Sequence, residues 1–172
     1  MANFTYVVFD GDNDGWAYQY IRGWAVNRRL GFDFSNSHDL DAMTSRAQDE
    51  HYVKRNLRAR MQNSDQVLVL VGEKTKNLYR YVRWEIEMAI DLGLPIIVVN
   101  LNKKRNVDHE KMPPILRDVC ALHIGYRFRA IKEALSTWKS TLRGLSLATR
   151  AEGPRVFTAK AYTDLGLGAS EG

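Results

Sequence analysis

Cysteine is nearly absent from this chain, and long apolar runs are missing. Cys120 is its only cysteine among 172 residues, so we expect no internal disulfide and a reducing environment. No apolar run reaches the roughly 18 residues that a membrane helix needs. Residues 1–5 place no basic region before an apolar stretch, so no signal peptide is expected. The length suits one well-buried domain, and the sequence predicts a cytoplasmic protein that does not enter a membrane.

Several ligand-binding signatures are missing as well. No G-x-G-x-x-G follows the first apolar run, so a dinucleotide would not be held in the Rossmann manner. Residues 71–75 superficially resemble a phosphate loop, but the first glycine and the Gly-Lys pair of that motif are absent. The four histidines show no metal-ligand spacing, and the acidic run 10–14 lacks the glutamate that ends an EF-hand loop. We therefore expect no metal and no resident cofactor.

The net charge of +5 is placed unevenly along the chain. Residues 1–100 carry 12 Lys and Arg against 13 Asp and Glu, whereas residues 101–172 carry 13 against 7. The excess lies in residues 103–105 and around Arg127 and Arg129. Because no exposed aromatics or reading helix accompany it, a solvated basic surface is favoured over a nucleic-acid site.

Short apolar runs alternate with amphipathic segments about five times. The predicted strands are residues 6–9, 32–34, 66–71, 96–99 and 120–124. This alternation predicts an α/β domain of the flavodoxin-like type, with a five-stranded parallel sheet, order 2-1-3-4-5, and helices on both faces. We assign residues 1–148 to this domain. Residues 149–172 lack strong periodicity and are expected to form a loosely packed or disordered extension.

A ligand site is expected at one edge of the predicted sheet. In open α/β sheets, ligands bind beyond the carboxyl ends of the strands, at the switch point beside the first strand. That edge gathers residues 9–14, 35–39 and 72–77. The long polar loop 35–44 is itself a candidate for function rather than mere connection.

Glu85 is the most informative carboxylate in the sequence. It borders the apolar stripe of a predicted helix, which is formed by Val82, Ile86, Ala89, Ile90 and Gly93. Since this helix starts at the same sheet edge, Glu85 can face the cleft there. Its position also fits an ordinary boundary glutamate. Arg83 and Glu87 lie four apart and are expected to form a solvated salt bridge.

With these parts assembled, residues 5–142 resemble the TIR-like domains of bacterial antiphage defence, in particular the Thoeris TIR-like family. The resemblance depends on the acidic loop at residues 9–14, the run 69–75 and the helix segment 82–89. Enzymatic TIR domains carry a catalytic glutamate on the helix before the fourth strand. Glu85, Ile86, Ala89 and Gly93 match that pattern, and Tyr81 stands where many TIR domains have tryptophan, with Trp84 beside the carboxylate.

The resemblance implies cleavage of the nicotinamide–ribose bond of NAD⁺, which would be the substrate. It implies a cyclic or conjugated ADP-ribose product that activates a partner effector, and an active site that a neighbouring copy can complete. Glu85 would be the catalytic residue. The implied substrate-binding residues are Phe9, Asp10, Asp12, Asn13, Ser35, His38, Tyr81 and Trp84.

Two other classes of function remain open. The chain could be a non-catalytic TIR-like module that works by self-assembly or partner docking, with Tyr81 and Trp84 as interface anchors. It could also be another N-glycosyl enzyme, similar to a nucleoside deoxyribosyltransferase. Release of nicotinamide from NAD⁺ would distinguish the NAD⁺-cleaving enzyme from the non-catalytic module. Base exchange on nucleosides would indicate the deoxyribosyltransferase-like enzyme.

Overall fold

A parallel sheet forms the centre of the molecule. The computed structural model describes residues 4–32, 34–36, 50–78 and 80–168. The sheet has the strand order β2-β1-β3-β4-β5-β6, with every neighbouring pair parallel. Its strands are β1 Phe4–Val8, β2 Ser35–Asn36, β3 Gln66–Val71, β4 Ile96–Asn100, β5 Leu122–Gly125 and β6 Arg155–Val156. The predicted order 2-1-3-4-5 is confirmed, and a sixth strand extends the sheet beyond β5.

Helices cover both faces of this sheet. They are α1 Gly15–Val26, α2 Glu50–Gln62, α3 Tyr81–Asp91, α4 Phe128–Gly144, α5 Leu147–Arg150 and α6 Ala159–Asp164. Buried side chains of α1 and α4 pack on one face, and those of α2 and α3 pack on the other. All six residues of β3 are buried, as a strand covered on both sides requires. A side chain of the sheet therefore packs against α1 and α4 or against α2 and α3, depending on the face from which it projects.

The second strand lies slightly later in the chain than predicted. We expected residues 32–34, but β2 is Ser35–Asn36, which pairs with the start of β1. Phe32 and Phe34 are buried among aromatic rings instead, and the ring of Phe32 lies 5.8 Å from Trp24 and 5.6 Å from Phe128. Their apolarity reflects this packing on the α1 and α4 face rather than pairing in the sheet.

The expectation of a loosely packed extension after residue 148 is wrong for residues 149–168. β6 pairs with β5, and Tyr162 of α6 is 1% exposed. Arg105 donates to the carbonyls of Leu167 and Gly168 at 2.7 and 2.9 Å and lies over the ring of Tyr162. Arg129 donates to the carbonyl of Leu165. Part of the basic excess therefore holds the C-terminal segment in place.

Candidate functional site

Glu85 lies in the second turn of α3 and faces the sheet. Its side chain is buried, with 7% of the residue exposed. The hydroxyl of Tyr6, on β1, donates to Oε1 of Glu85 at 2.7 Å. Apolar side chains of α2, α3 and the strands form the surrounding core, including Val8, Leu57, Val69, Val82 and Ile86. A carboxyl group in such surroundings is either structurally paired or chemically used.

Burial changes the acidity of both partners. Removal from water raises the pKa of Glu85 from its ordinary 4.5 to about 8, although the Tyr6 hydrogen bond and the nearby charge of Arg60 act in the opposite direction. The pKa of Tyr6 is also raised, by burial and then by the neighbouring carboxyl group. The Tyr6 hydroxyl is therefore a permanent donor, whereas Glu85 changes charge near neutral pH.

Tyr6 is a site residue that sequence reasoning missed. It lies in a short apolar run, where an aromatic ring is expected to be part of the core. Its ring is indeed fully buried, but its hydroxyl needs a partner in a dry environment. The sequence does contain one signal. The side chain of Tyr6 projects from β1 to the face that α3 covers, and its hydroxyl needs a hydrogen-bond partner there.

Tyr81 and Trp84 lie on the outer side of α3, beside Glu85 in sequence. Tyr81 is 38% exposed, and its ring meets that of Trp84 edge to face, with centroids 5.6 Å apart. Lys54 of α2 and Arg80 lie over the Trp84 ring, at 4.5 and 5.5 Å from its centroid. The predicted aromatic residues thus form a surface cluster together with two cations.

The acidic loop after β1 binds its own backbone. Oδ1 of Asp10 accepts hydrogen bonds from the amides of Asp12 and Asn13, and Oδ2 accepts one from the Asn13 side chain at 2.6 Å. Asp10 is 3% exposed, whereas the side chains of Asp12 and Asn13 are exposed. Asp10 therefore shapes the loop and the other two present polar groups to solvent.

Asp14 links the acidic loop to the end of β3. Its Oδ2 accepts a hydrogen bond from the Thr75 hydroxyl, and that hydroxyl accepts one from the amide of Gly72. Burial and the neighbouring Asp10 raise the pKa of Asp14. A Cβ at Gly72 would overlap the Asp14 carboxylate, so this contact requires glycine.

A polar cleft opens beside Asp14, at the carboxyl ends of β3 and β4. Its volume is about 240 Å³, and it is lined by Asp14, Trp16, Val71, Gly72, Glu73, Leu101, Asn102 and Lys111. Lys111 and Glu73 form an ion pair across it. Sequence reasoning placed a cleft at this sheet edge but did not identify Trp16, Asn102 or Lys111.

The structure divides the predicted site residues between different surfaces. Phe9 stacks on Tyr18 of α1 with centroids 4.7 Å apart, on the sheet face opposite α3. Glu85 is buried against Tyr6, so the expectation that it faces the same cleft as the acidic loop is not met by the described contacts. The backbone of Ser35 pairs with β1, its side chain lies outside the described residues, and so does His38. The predicted Arg83–Glu87 salt bridge is confirmed, at 2.8 Å.

The described residues also bear on metal binding and on membrane insertion. Among them, no group of three or more His, Cys, Asp and Glu side chains is placed to hold a metal ion. Within the same residues, no helix has the length and apolarity needed to span a membrane.

The chain thus combines a parallel α/β sheet with a buried carboxyl group on the helix before β4. Residues 6–106 match the family described as Thoeris protein ThsB, TIR-like domain. The chain belongs to this family, which gives it a role in antiphage defence. The match begins within β1, continues through β4 and includes both Tyr6 and Glu85.

The other comparisons add no functional information. No curated protein matches the chain. Among solved structures, the chain is similar to the solution NMR structure of a de novo designed Rossmann 2x3 fold protein, at 14% identity and a TM-score of 0.38. That alignment covers 86% of this chain and 94% of the designed one.

Proposed function

We propose that this protein cleaves the nicotinamide–ribose bond of NAD⁺ in the cytoplasm and converts the ADP-ribose part into a cyclic or conjugated signal molecule. The product would activate an effector protein of Thoeris antiphage defence. NAD⁺ is the substrate in this proposal, and no further cofactor is needed. Glu85 is the catalytic residue.

The observation that supports this proposal is the environment of Glu85. Its carboxyl group is buried, its pKa is raised to about 8, and one oxygen is oriented by the Tyr6 hydroxyl. A structural carboxylate in a core normally has a cationic partner, because an unpaired buried charge is costly. A protein tolerates such a group where a positively charged ligand or transition state supplies the partner.

The proposed reaction supplies that positive charge twice. The nicotinamide ring of NAD⁺ is cationic in the ground state, and its binding would favour the ionised form of Glu85. As the bond breaks, nicotinamide leaves as a neutral molecule and positive charge moves to the ribose. A carboxylate beside the ribosyl cation stabilises it and orients the ribose hydroxyls, as in glycoside chemistry.

The Tyr6 hydroxyl has a separate task in this scheme. It holds one carboxyl oxygen in place, so that the other can face the sugar without a change of rotamer. Water, another atom of the same nucleotide or an added acceptor then captures the cation. The nature of the acceptor decides whether the product is linear, cyclic or conjugated.

The test is nicotinamide release from NAD⁺, measured by chromatography and mass spectrometry. Glu85→Gln should abolish release while keeping size and burial, because it removes the charge opposite the ribosyl cation. Glu87→Gln is the matched control on the same helix, since Glu87 pairs with Arg83 at the surface, and it should be nearly silent. Equal loss in both variants, or full activity in Glu85→Gln, would overturn the assignment.

The second candidate is a non-catalytic assembly module, and the exposed aromatic rings of α1 favour it. Trp16 and Tyr20 are 49% and 61% exposed, with ring centroids 6.4 Å apart. Aromatic side chains of this kind commonly anchor protein interfaces. Wild-type protein that releases no nicotinamide, even in its assembled form, would favour this reading. Base exchange on free nucleosides would instead indicate a deoxyribosyltransferase-like enzyme.

A further inference from the structure

Four side chains, from α2, from α3 and from the residue that precedes α3, form a surface that the catalytic role of Glu85 does not explain. They are Lys54, Arg80, Tyr81 and Trp84, and we call them the cationic shelf. The Arg80 guanidinium lies over both rings, 5.6 Å from the centroid of Tyr81 and 5.5 Å from that of Trp84. The Lys54 ammonium lies 4.5 Å from the Trp84 centroid. Two cations thus share one indole ring.

The charge of the shelf is only partly balanced. Lys54 forms an ion pair with Glu50 at 2.5 Å. Within the described part of the chain, the guanidinium of Arg80 makes no hydrogen bond or ion pair. By contrast, Arg83 in the first turn of α3 pairs with Glu87 at 2.8 Å. Arg80 is exposed and lies over the aromatic rings, and although its charge also acts on Glu50, its hydrogen-bond donors are available to an anion.

Most of the shelf lies near Glu85 in the sequence, so the shelf and Glu85 can contact the same substrate. Tyr81 precedes Glu85 by one helical turn, and Trp84 is its neighbour. Tyr81 is exposed and Glu85 is buried against the sheet, so the two lie on neighbouring sides of α3. Arg80 directly precedes this helix and Glu85 lies in its second turn, so the cationic shelf and Glu85 lie at the same end of α3.

The two ends of the proposed substrate differ in charge. NAD⁺ carries a cationic nicotinamide ring and an anionic diphosphate joined to a purine. The acidic loop with Asp10, Asp12 and Asp14 would repel the diphosphate, whereas the shelf offers cations to the diphosphate and ring faces to the purine.

On the basis of the proposed function, we propose that Arg80 and Lys54 bind the diphosphate of the dinucleotide whose nicotinamide ribose lies at Glu85. Tyr81 and Trp84 hold these cations in position and offer their faces to the purine. The shelf thereby selects dinucleotides over nicotinamide nucleosides, which share the scissile bond but lack the diphosphate.

Calorimetric titration with ADP-ribose tests binding without requiring catalysis. Arg80→Ala should weaken ADP-ribose binding roughly tenfold, as expected for loss of a charge-assisted hydrogen bond. Arg83→Ala is the matched control, because Arg83 is already paired, and it should bind ADP-ribose like the wild type. Equal affinities in Arg80→Ala and wild type would overturn the proposal, even if nicotinamide release is normal.

Steady-state kinetics supply a second, independent readout. In Arg80→Ala, the KM for NAD⁺ should rise roughly tenfold with kcat within about twofold, and kcat/KM for nicotinamide riboside should stay unchanged. A parallel loss with both substrates would show a general disturbance of the site and contradict the proposal. If the wild type releases no nicotinamide, the proposed reaction fails, while the ADP-ribose titration still decides whether the shelf binds a diphosphate.

Discussion

Tyr6 and Glu85 are 79 positions apart in the sequence, and a 2.7 Å hydrogen bond joins them. The bond connects the first strand of the sheet to the helix before β4. It orients the one carboxyl group in the described α2 and α3 core whose pKa is raised to about 8. The pair therefore makes the charge of Glu85 depend on a residue that sequence patterns assign to the core.

We expect Tyr6→Phe to shift the pH dependence of nicotinamide release. The Tyr6 hydroxyl lowers the pKa of Glu85, so its loss should raise that pKa above 8. If the carboxylate is the active form, the acidic limb of kcat/KM should move up by roughly one pH unit. Tyr20→Phe removes a hydroxyl from an exposed ring and serves as the control. An unchanged acidic limb in Tyr6→Phe would contradict this role.

Glu85 should also make stability depend on pH. Its pKa is about 8 in the folded chain, against an ordinary 4.5, so the folded state binds the proton more tightly. The resulting stabilisation is fully present below pH 4.5 and is lost as pH rises through 8. Between pH 5 and pH 9, the wild type should lose about 4 kcal/mol relative to Glu85→Gln.

Urea unfolding at the two pH values measures this difference. Glu87→Gln, which changes an exposed carboxylate, should show no comparable change with pH relative to the wild type. A constant stability difference between wild type and Glu85→Gln from pH 5 to pH 9 would show that the carboxyl group titrates as in water.

Much of the fold could be predicted from the sequence, because continuous apolar runs such as β3 and β4 allow few alternatives. β6 could not, since a two-residue strand of Arg155 and Val156 carries no period. The candidate site was only partly predictable. The border position of Glu85 on its helix is a local property, whereas its bond to Tyr6 depends on packing across the sheet. The distribution of Phe9 and Glu85 over opposite faces likewise depends on which side each helix covers.

Gly72→Ala should destabilise the fold at the carboxyl end of β3. The added Cβ would overlap the Asp14 carboxylate and displace it from the Thr75 hydroxyl. We expect a loss of about 2 kcal/mol, measured by chemical unfolding. Gly11→Ala, in the neighbouring loop with open space around it, should cost less than about 0.5 kcal/mol. In an Asp14→Ala background, Gly72→Ala should cost less, and an undiminished cost would exclude this contact as the cause.

Asp10→Ala should impair NAD⁺ turnover through the acidic loop. Asp10 accepts two backbone hydrogen bonds that hold residues 12 and 13, so its removal should loosen the loop that follows β1, the strand that carries Tyr6. We expect a higher KM or a lower kcat than in Asp118→Ala, a substitution at an exposed carboxylate. Unaltered NAD⁺ kinetics in Asp10→Ala would remove this residue from the site.

Activity should depend on assembly and therefore on protein concentration. The described residues form one domain around one sheet, and a dinucleotide bound at its surface would need a further element to exclude water. We expect low turnover from dilute protein, a rise with enforced oligomerisation, and a reduction when several of residues 37–41 are deleted. Those residues lie outside the described part of the chain. Specific activity that is high and constant across a hundredfold dilution would contradict the prediction.

The hydrogen bonds from Arg105 to the carbonyls of Leu167 and Gly168 join two distant parts of the chain, and this affects the order in which the chain folds during synthesis. Arg105 lies at the end of the segment that matches the family, and its backbone partners follow about sixty residues later. The strands of residues 6–106 can leave the ribosome and begin to pair while β5, α4 and β6 are still being made. Until residues 122–125 emerge and pair as β5, β4 keeps a bare hydrogen-bonding edge that another nascent chain can occupy. A protein cut at the boundary of the matched segment would retain that edge permanently.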